Sequence, residues 1–405
     1  MADTYAYKVR DKAGKIHTGE LEADSTTLVA NKLRQLGYVP IAIDKKTESI
    51  GKKELKLPGM GKPKLKDISI FSRQFATMID SGLSLLRSLY ILEEQTDNKV
   101  LAGILGEVRQ DVEKGTSLSQ ALSRHPKTFN RLYVSMVKAG EIGGVLDSVL
   151  IQLADTIEKQ VALKQKIKSA MTYPVAVLCL VLLIVTAMLL FVVPTFKVLY
   201  DDLGGTLPLP TRILLTVSSA LAKGLPIVIL VMVGIVFGFK KWIETDKGRS
   251  IFDAFKLKIV LFGNLVHKTI LVRFSRTLAS LLRSGVPILE SLEITADTVS
   301  NSVAAKAIYD VQDGVKQGEP LAKRMANHDI FPPMVVQMIA VGEETGAVDT
   351  MLDKIGDFYE QEVEALVNAL TSLLEPLLIV VLGGAVGSMV IALYMPLFNI
   401  IKLIK

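Results

Sequence analysis

Two acidic turns, one in each half of the chain, have the residue types and spacing that could carry chemistry. Each has the pattern GE-x2-G-x2-D, which places one carboxylate at a glycine-bracketed helix end and a second near the start of the next helix. The residues are Gly140, Glu141, Gly144 and Asp147 in the first half, and Gly342, Glu343, Gly346 and Asp349 in the second. Two interpretations are open. The pattern can be turn chemistry alone, or it can form an exposed acidic corner that docks a basic partner or binds a divalent cation.

A second repeated feature is an arginine that follows a phenylalanine and a serine. It occurs in Phe71-Ser72-Arg73 and again in Phe274-Ser275-Arg276. On a helix, Phe71 and Phe75 lie one turn apart on the same face. We therefore expect the rings in a core and each arginine beside a carboxylate of its own bundle. In the alternative interpretation, Arg73 and Arg276 contact a partner protein.

The sequence lacks the patterns of the common catalytic and nucleotide-binding sites. It contains no GxxxxGK[ST], GxSxG or HExxH, and no GxGxxG that opens a helix. The single cysteine, Cys179, lies in an apolar run and the four histidines are scattered. Neither a disulfide nor a paired-cysteine site can therefore form within the chain. We expect no catalytic residue, no cofactor, no metal centre and no nucleic-acid partner.

The two turns and the two arginines belong to a long internal repeat. FSRQFATMIDSGLSLLRSL at 71–89 matches FSRTLASLLRSGVPILESL at 274–292, an offset of 203 residues. After one deletion the offset becomes 202, and it holds as far as VVPTF at 192–196 and YMPLF at 394–398. Helical periodicity with short glycine and proline breaks fills 67–168 and 268–372. This predicts two homologous six-helix bundles, each followed by a membrane helix.

The apolar residues are concentrated in three windows, which predicts a membrane protein with large soluble parts. Apolar residues make up 50% of the chain and its mean hydropathy is +0.39. Residues 169–196 and 376–401 carry no charge and are long enough to span a bilayer. A weaker uncharged run covers 224–239. We expect it to cross too, since otherwise the two bundles would face opposite sides of the membrane.

Charges beside these runs predict the orientation of a mostly α-helical, polytopic membrane protein with three transmembrane helices. Lysines at 164–168 and 240–241 place both bundles in the cytoplasm by the positive-inside rule. The predicted segments are helices at 169–196, 213–240 and 373–401, a periplasmic loop at 197–212, a cytoplasmic connector at 241–267 and a periplasmic tail at 402–405. One feature disagrees, since basic residues in the tail and acidic residues before the third span favour the reverse orientation for that span.

The N-terminal residues form a separate small module. Alternating runs joined by DKAG, a helix opened by Ser25 and ended near Gly37, and the run YVPIAI predict an α+β module over 1–43. Residues 44–66 hold eight lysines and three acidic residues. They predict a flexible basic linker, which is either a solvated tether or a segment that adsorbs to anionic headgroups.

The motifs together resemble the inner-membrane platform proteins of type IV pilus and type II secretion machines (PilC/GspF-like), with the pilus proteins as the nearer match. The residues that carry the resemblance are FSRQ…DSG…LL at 71–86, AGE…G at 139–144, KIKSAMTYP at 166–174 and VGEETG at 341–346. It covers essentially the whole chain. Tyr173 and Pro174 of TYP, and Glu375 and Pro376 of the second copy, are candidate membrane-entry residues. Because the second copy has LEP, a role for Tyr173 beyond interfacial anchoring is in doubt.

The resemblance implies a non-enzymatic protein of the bacterial inner membrane. Such platforms couple a cytoplasmic hexameric motor ATPase to the insertion or extraction of pilins. The implied partners are that ATPase, pilin or pseudopilin transmembrane helices, other inner-membrane assembly proteins, the lipid bilayer and further copies of the chain. Long helical patterns at 150–170 and 352–372 run into the first and third spans and could transmit motion. A type II secretion platform and, from another class, an oligomeric transporter remain as alternatives.

Overall fold

The computed structural model describes residues 3–10, 16–23, 25–45, 61–195, 209–260 and 262–403. The chain forms two compact units, 1–62 and 63–405, which are taken separately below. Several predicted features lie largely outside the described residues, namely the DKAG turn, the basic linker, the loop at 197–212 and the last residues of the tail.

In its described residues, the N-terminal unit has a three-stranded antiparallel sheet and one helix. Its elements are β1 (Asp3–Arg10), β2 (Ile16–Ala23), α1 (Thr26–Gln35) and β3 (Val39–Lys45), in the sheet order β2-β1-β3. The Ser25 hydroxyl accepts the Leu28 N–H at the start of α1, and Gly37 follows the helix with a φ of 83°. The hairpin, helix and strand therefore occur in the predicted order.

The larger unit is helical and contains two series of six helices. The first series is α2 (Leu65–Asp80), α3 (Leu85–Gln95), α4 (Lys99–Glu113), α5 (Leu118–Ser123), α6 (Arg131–Gly143) and α7 (Leu146–Ala187). Two helices follow, α8 (Leu209–Ile243) and α9 (Asp246–Lys258). The second series is α10 (Gly263–Arg283), α11 (Ile288–Thr298), α12 (Ser302–Lys316), α13 (Leu321–Met325), α14 (Pro333–Thr345) and α15 (Val348–Leu403).

Each series buries an aromatic cluster, as the repeated phenylalanines predict. In the first bundle, Phe71 stacks on Phe75 at 5.5 Å between ring centroids and contacts Phe129 at 5.8 Å. In the second, Phe274 packs against Phe331 at 5.2 Å. All five side chains are buried, and each contributes about 1.5–3 kcal/mol by leaving water.

The two bundles share apolar and polar contacts and form one body. Leu281, Val286 and Ile294 of the second bundle lie in the core of the first. Hydroxyl groups of Thr156 and Ser280 lie 2.8 Å apart across the interface. At its edge, Arg131 reaches Glu293 and Asp297 of α11 at 2.8 and 2.7 Å, respectively.

Two long helices continue from the bundles into apolar segments. The helix that contains α7 continues through a π-helical turn to Thr195, and α15 continues beyond its bundle to Leu403. In the described residues, Leu146–Thr195 and Val348–Ala392 are long and apolar enough to cross a membrane, and their most apolar windows are only 11% and 6% buried. Because two such helices are found among the described residues, the prediction of three transmembrane helices is not confirmed.

Helix α8 packs against the distal parts of both long helices. The Thr211 hydroxyl donates to the Ala392 carbonyl at 2.5 Å, and the Ser218 hydroxyl donates to the Leu189 carbonyl at 2.5 Å. After α8, the chain continues into α9, which docks on the second bundle. There the Asp253 carboxylate accepts the Ser302 N–H at 2.8 Å. Helix α8 therefore connects the far end of the long helices to the bundle.

Candidate functional sites at the repeated turns and arginines

The two acidic turns have the same geometry. Gly144 and Gly346 end α6 and α14 with φ values of 67° and 70°, a left-handed conformation that favours glycine. The chain then turns directly into α7 or α15, with Asp147 or Asp349 in the first helical turn. Carboxylates at these places are favourable because the helix N-terminus carries partial positive charge.

The glutamates cap neighbouring short helices from a distance in sequence. The two carboxylate oxygens of Glu141 accept the backbone N–H groups of Leu118 and Ser119 at 2.6 and 3.0 Å. Those of Glu343 accept the N–H groups of Leu321 and Ala322 at 2.6 and 2.9 Å. Each carboxylate thus satisfies two N–H groups that the first turn of α5 or α13 leaves unpaired.

These hydrogen bonds give Glu141 and Glu343 a structural role at the turns, which is one of the two interpretations that the sequence pattern leaves open. Within the described ranges there is no group of three or more His, Cys, Asp or Glu residues that could hold a metal ion. Docking of a basic partner at the corners stays a prediction. Sequence reasoning missed the short helices as the partners of Glu141 and Glu343, although each helix lies 22 to 23 residues before its glutamate in both copies.

The first glycine of each turn allows two helices to cross closely. A Cβ atom on Gly140 would lie 3.1 Å from the Val149 Cβ atom, and one on Gly342 would lie 2.9 Å from the Val348 Cα atom. A Cβ atom on Gly140 would also lie 3.2 Å from the Leu146 Cα atom, so backbone limits both positions, and the approach is closer at Gly342. Gly342 is therefore the stricter of the two positions.

We expect Gly342→Ala to destabilise the second bundle by about 2 kcal/mol and Gly140→Ala to destabilise the first by about 1 kcal/mol. Amide hydrogen exchange of the full-length chain in detergent measures both losses at the α6–α7 and α14–α15 crossings. Gly103→Ala is the control, because nothing lies within 4 Å of an added Cβ atom there. This control should stabilise α4 slightly. Equal effects at all three positions would contradict the close-approach argument.

Each repeated arginine pairs with carboxylates of its own bundle, as expected, and the structure places these carboxylates on the long helix α7 or α15. Arg73 contacts Glu158 at 2.6 Å and also Asp155, both on α7. Hydrogen bonding to Arg73 lowers the pKa of the Glu158 carboxyl below its usual value. The pairs fasten α2 to α7, which is the helix that continues into the apolar segment.

Arg276 repeats this arrangement in a more buried setting. Its guanidinium contacts Asp357, Glu360 and Asp353 of α15 at 2.6, 2.9 and 3.6 Å. The Arg276 side chain is 10% exposed, whereas that of Arg73 is 38% exposed. Gly356 makes room for it, since a Cβ atom there would lie 3.0 Å from the Arg276 Cδ atom.

The structure joins two of the predicted residues in one charged network. Arg283 contacts Asp353 and lies 3.9 Å from Asp349, and Asp353 in turn lies 3.6 Å from Arg276. Asp349 is therefore linked to Arg276 through Arg283 and Asp353. The network borders a groove of about 350 Å³ between α7, α10 and α15. Sequence reasoning missed Arg283, because the equivalent position of the first copy is Asp80 and the repeat gave no signal there.

The candidate membrane-entry residues lie on the long helices, apart from the turns. Tyr173 is exposed and Pro174 is buried within α7, while Glu375 and Pro376 are exposed on α15. Asp147 is also exposed. The predicted candidates thus fall at several separate places and do not form a single pocket.

Comparison with known proteins identifies the repeat. The family model of type II secretion system protein F matches twice, at residues 71–194 and 274–396. A second model, for the N-terminal domain of type II secretion system protein F, matches residues 1–44. The two matches of one model confirm that the same domain occurs twice.

Similar proteins cover nearly the whole chain. The type IV pilus assembly protein PilC of Thermus thermophilus is 45% identical over 98% of each chain. The protein of the same name in Myxococcus xanthus is 41% identical over 98% of this chain and 94% of its own. Type II secretion system protein F of Xanthomonas campestris is 33% identical over 98% of each. The predicted resemblance is confirmed, and the chain belongs to the type II secretion system protein F family, which includes the PilC proteins of type IV pilus assembly.

Proposed function

We propose that the chain is an inner-membrane platform protein of type IV pilus biogenesis. In this role it couples a cytoplasmic hexameric ATPase to the insertion of pilins into the pilus base or their extraction from it. The observation that carries the proposal is the higher identity to pilus assembly proteins, 45% and 41%, than to the 33% identical secretion protein. The role requires no catalytic residue, because the chain transmits motion made by the motor.

The two long helices support such a mechanical role. Helix α7 continues from the first bundle into an apolar segment, and α15 does so from the second. At about 1.5 Å per residue, the helical segments that lead from each bundle to Pro174 of α7 and Pro376 of α15 carry a displacement of the bundle toward the membrane. The Arg73 and Arg276 ion pairs fasten each bundle to its long helix, so that the bundle and the helix move together.

A multi-pass membrane location is part of the proposal, with the N-terminus in the cytoplasm and the C-terminus in the periplasm. The apolar side chains of α8 between 230 and 239 support a middle span, because they face solvent in the isolated chain. Its contacts with Leu189 and Ala392 at one end, and its connection to α9 at the other, also suit a helix that crosses beside the other two.

Cysteine labelling tests this topology. In a Cys179→Ser background, Lys114→Cys and Gln317→Cys place single thiols at equivalent exposed ends of α4 and α12. We expect a membrane-impermeant maleimide to label neither thiol in spheroplasts and both in inverted vesicles. Gly205→Cys, in the predicted periplasmic loop, is the control with the opposite pattern. Labelling of Gln317→Cys alone in spheroplasts would show that α8 does not cross.

Deletion of the gene tests the function. We expect loss of surface pili, and co-purification of the intact protein with a motor ATPase. Normal piliation of the deletion strain would contradict the proposal. Loss of exported enzymes with intact pili would assign the chain to type II secretion instead, and solute flux in proteoliposomes would favour a transporter.

Site-specific crosslinking tests the proposed partners. Photoreactive residues on the exposed surfaces of each bundle are expected to capture the ATPase, and residues on the apolar segments are expected to capture pilin helices. The proposed corner at Asp147 is a suitable position, since it is exposed. Other inner-membrane assembly proteins and a second copy of the chain are further expected products. Capture of the ATPase by the apolar segments alone would contradict the arrangement.

A further inference from the structure

We propose that the groove between α7 and α10 is a binding site for an anionic phospholipid of the cytoplasmic leaflet. Lysine and arginine side chains at its rim hold the lipid phosphate, and the apolar floor contacts the acyl chains. The groove has a volume of about 280 Å³. The inference rests on the proposed function, since it takes the bundles as cytoplasmic and α7 as a membrane span.

The floor of the groove is apolar and fixed in place. Leu163, Ile167 and Met171 follow one another at intervals of four residues and therefore lie on one face of α7. Leu163 is buried in the core of the second bundle, and Ile167 packs against that core. Val272 of α10 is also buried. These contacts hold the floor rigidly, so that a ligand finds a preformed surface.

The groove ends where the charges of α7 end. Lys168 is the last charged residue before the uncharged run at 169–196, and Met171 lies inside that run. From Leu163 to Met171 the helix rises by about 12 Å. The groove therefore extends from the core of the second bundle, at Leu163, to the level at which α7 enters the bilayer. A phospholipid places its phosphate at this boundary and its acyl chains beyond it.

The rim carries four positive charges that lack a carboxylate partner within the part of the chain described. They are Lys159, Lys164, Lys168 and Arg273. Glu360 also borders the groove, but it lies 2.9 Å from Arg276 and is already paired. Lys166, on another face of the same turn of α7, is paired with Glu364 at 2.9 Å. The unpaired charges thus point to an anion from outside the bundle.

Among the rim residues, a bound anion would stabilise the charge of Arg273 the most. Its guanidinium is half-buried and donates to the neutral Ser300 hydroxyl. Burial without a counter-charge lowers the pKa of Arg273. A phosphate offers several acceptor oxygens and a negative charge, which a planar guanidinium recognises well.

Comparison of the two copies of the repeat shows that these four basic residues are not shared between them. At the equivalent positions of the other copy, Lys159, Lys164 and Lys168 are replaced by Gln361, Leu366 and Leu370, and Arg273 is replaced by Ile70. The bundles have the same helices, so packing alone does not require a basic groove. The four basic residues lie together at the junction of α7 and α10, and their equivalents in the other copy are uncharged.

Lipid binding to the full-length chain in a neutral detergent tests the site. Native mass spectrometry with added phosphatidylglycerol, or with phosphatidylcholine of the same acyl chains, gives the affinity for each. We expect tight binding of phosphatidylglycerol only. Lys164→Gln and Lys168→Gln should each weaken it about fivefold, as expected for one lysine near an anionic headgroup. Arg273→Gln should weaken it by at least as much.

Lys166→Gln is the matched control, because it removes the same charge within the same helical turn but outside the groove. We expect it to leave the affinity within about twofold of the unmodified chain. Equal binding of the two lipids, or an equal effect of Lys164→Gln and Lys166→Gln, would overturn the proposal. So would binding of water-soluble glycerophosphoglycerol as tight as that of the lipid, since the site would then recognise a soluble anion.

Failure of the lipid site and failure of the proposed function give different results. Extraction of the chain from membranes by carbonate would overturn the membrane location itself. A chain that stays in the membrane and supports piliation, yet binds both lipids equally, would overturn the lipid site alone.

Discussion

Arg276→Met is expected to destabilise the second bundle by about 3 kcal/mol, and Arg73→Met to destabilise the first by about 1 kcal/mol. The two arginines follow the same Phe-Ser pair in sequence, and both pair with acidic residues of a long helix. They differ in exposure, since the Arg276 side chain is 10% exposed and that of Arg73 is 38% exposed. Loss of Arg276 would leave three carboxylates close together, and two of them, Asp353 and Glu360, are only 30% and 27% exposed.

Amide hydrogen exchange in α10 and α15, compared with α2 and α7, measures this difference. Lys323→Met is a control for removal of one positive charge from an exposed position of the second bundle, and it should change stability by less than about 0.5 kcal/mol. If repulsion between carboxylates causes the loss, Asp357→Asn should restore part of the stability of Arg276→Met. Equal losses for Arg276→Met and Arg73→Met would show that exposure does not set the strength of these pairs.

Glu141→Ala and Glu343→Ala are each expected to destabilise a bundle by about 2 kcal/mol. Each substitution leaves two backbone N–H groups at the start of a short helix without their carboxylate acceptor. We expect exchange at the first amides of α5 or α13 to accelerate about 30-fold, which corresponds to that energy. The double variant should also lower piliation, because a mechanical coupler needs its short helices in place.

Glu344→Ala separates this capping role from docking of a basic partner. Glu344 is adjacent to Glu343 in sequence and exposed, and its loss removes the same charge without uncapping α13. If only Glu343→Ala reduces stability and piliation, the turn acts through the cap. If Glu344→Ala and Asp147→Ala reduce piliation with unchanged exchange, the exposed corners bind a partner, as the sequence pattern allows.

Much of the secondary structure could be predicted because it depends on local patterns. Periodic apolar residues, glycines at helix ends and the offset of 203 residues identify the paired helices without knowledge of any contact. The pairing of each arginine with acidic residues of its own bundle was also predictable, since a charge beside an aromatic core needs a partner. The choice of Glu158 for Arg73, and of Asp357 for Arg276, depends on the register between helices that are far apart in sequence.

The sequence by itself determined that this chain is a duplicated helical protein with long apolar helices, because repeats and uncharged runs are properties of residue order. Only the tertiary structure decided what the repeated polar residues do. Glu141 and Glu343 reach helices 22 to 23 residues earlier, Gly342 sits where two backbones nearly touch, and Lys164 differs from Lys166 only in the side of α7 it occupies. These roles depend on distances between segments that are far apart in sequence, and local sequence patterns do not predict such distances.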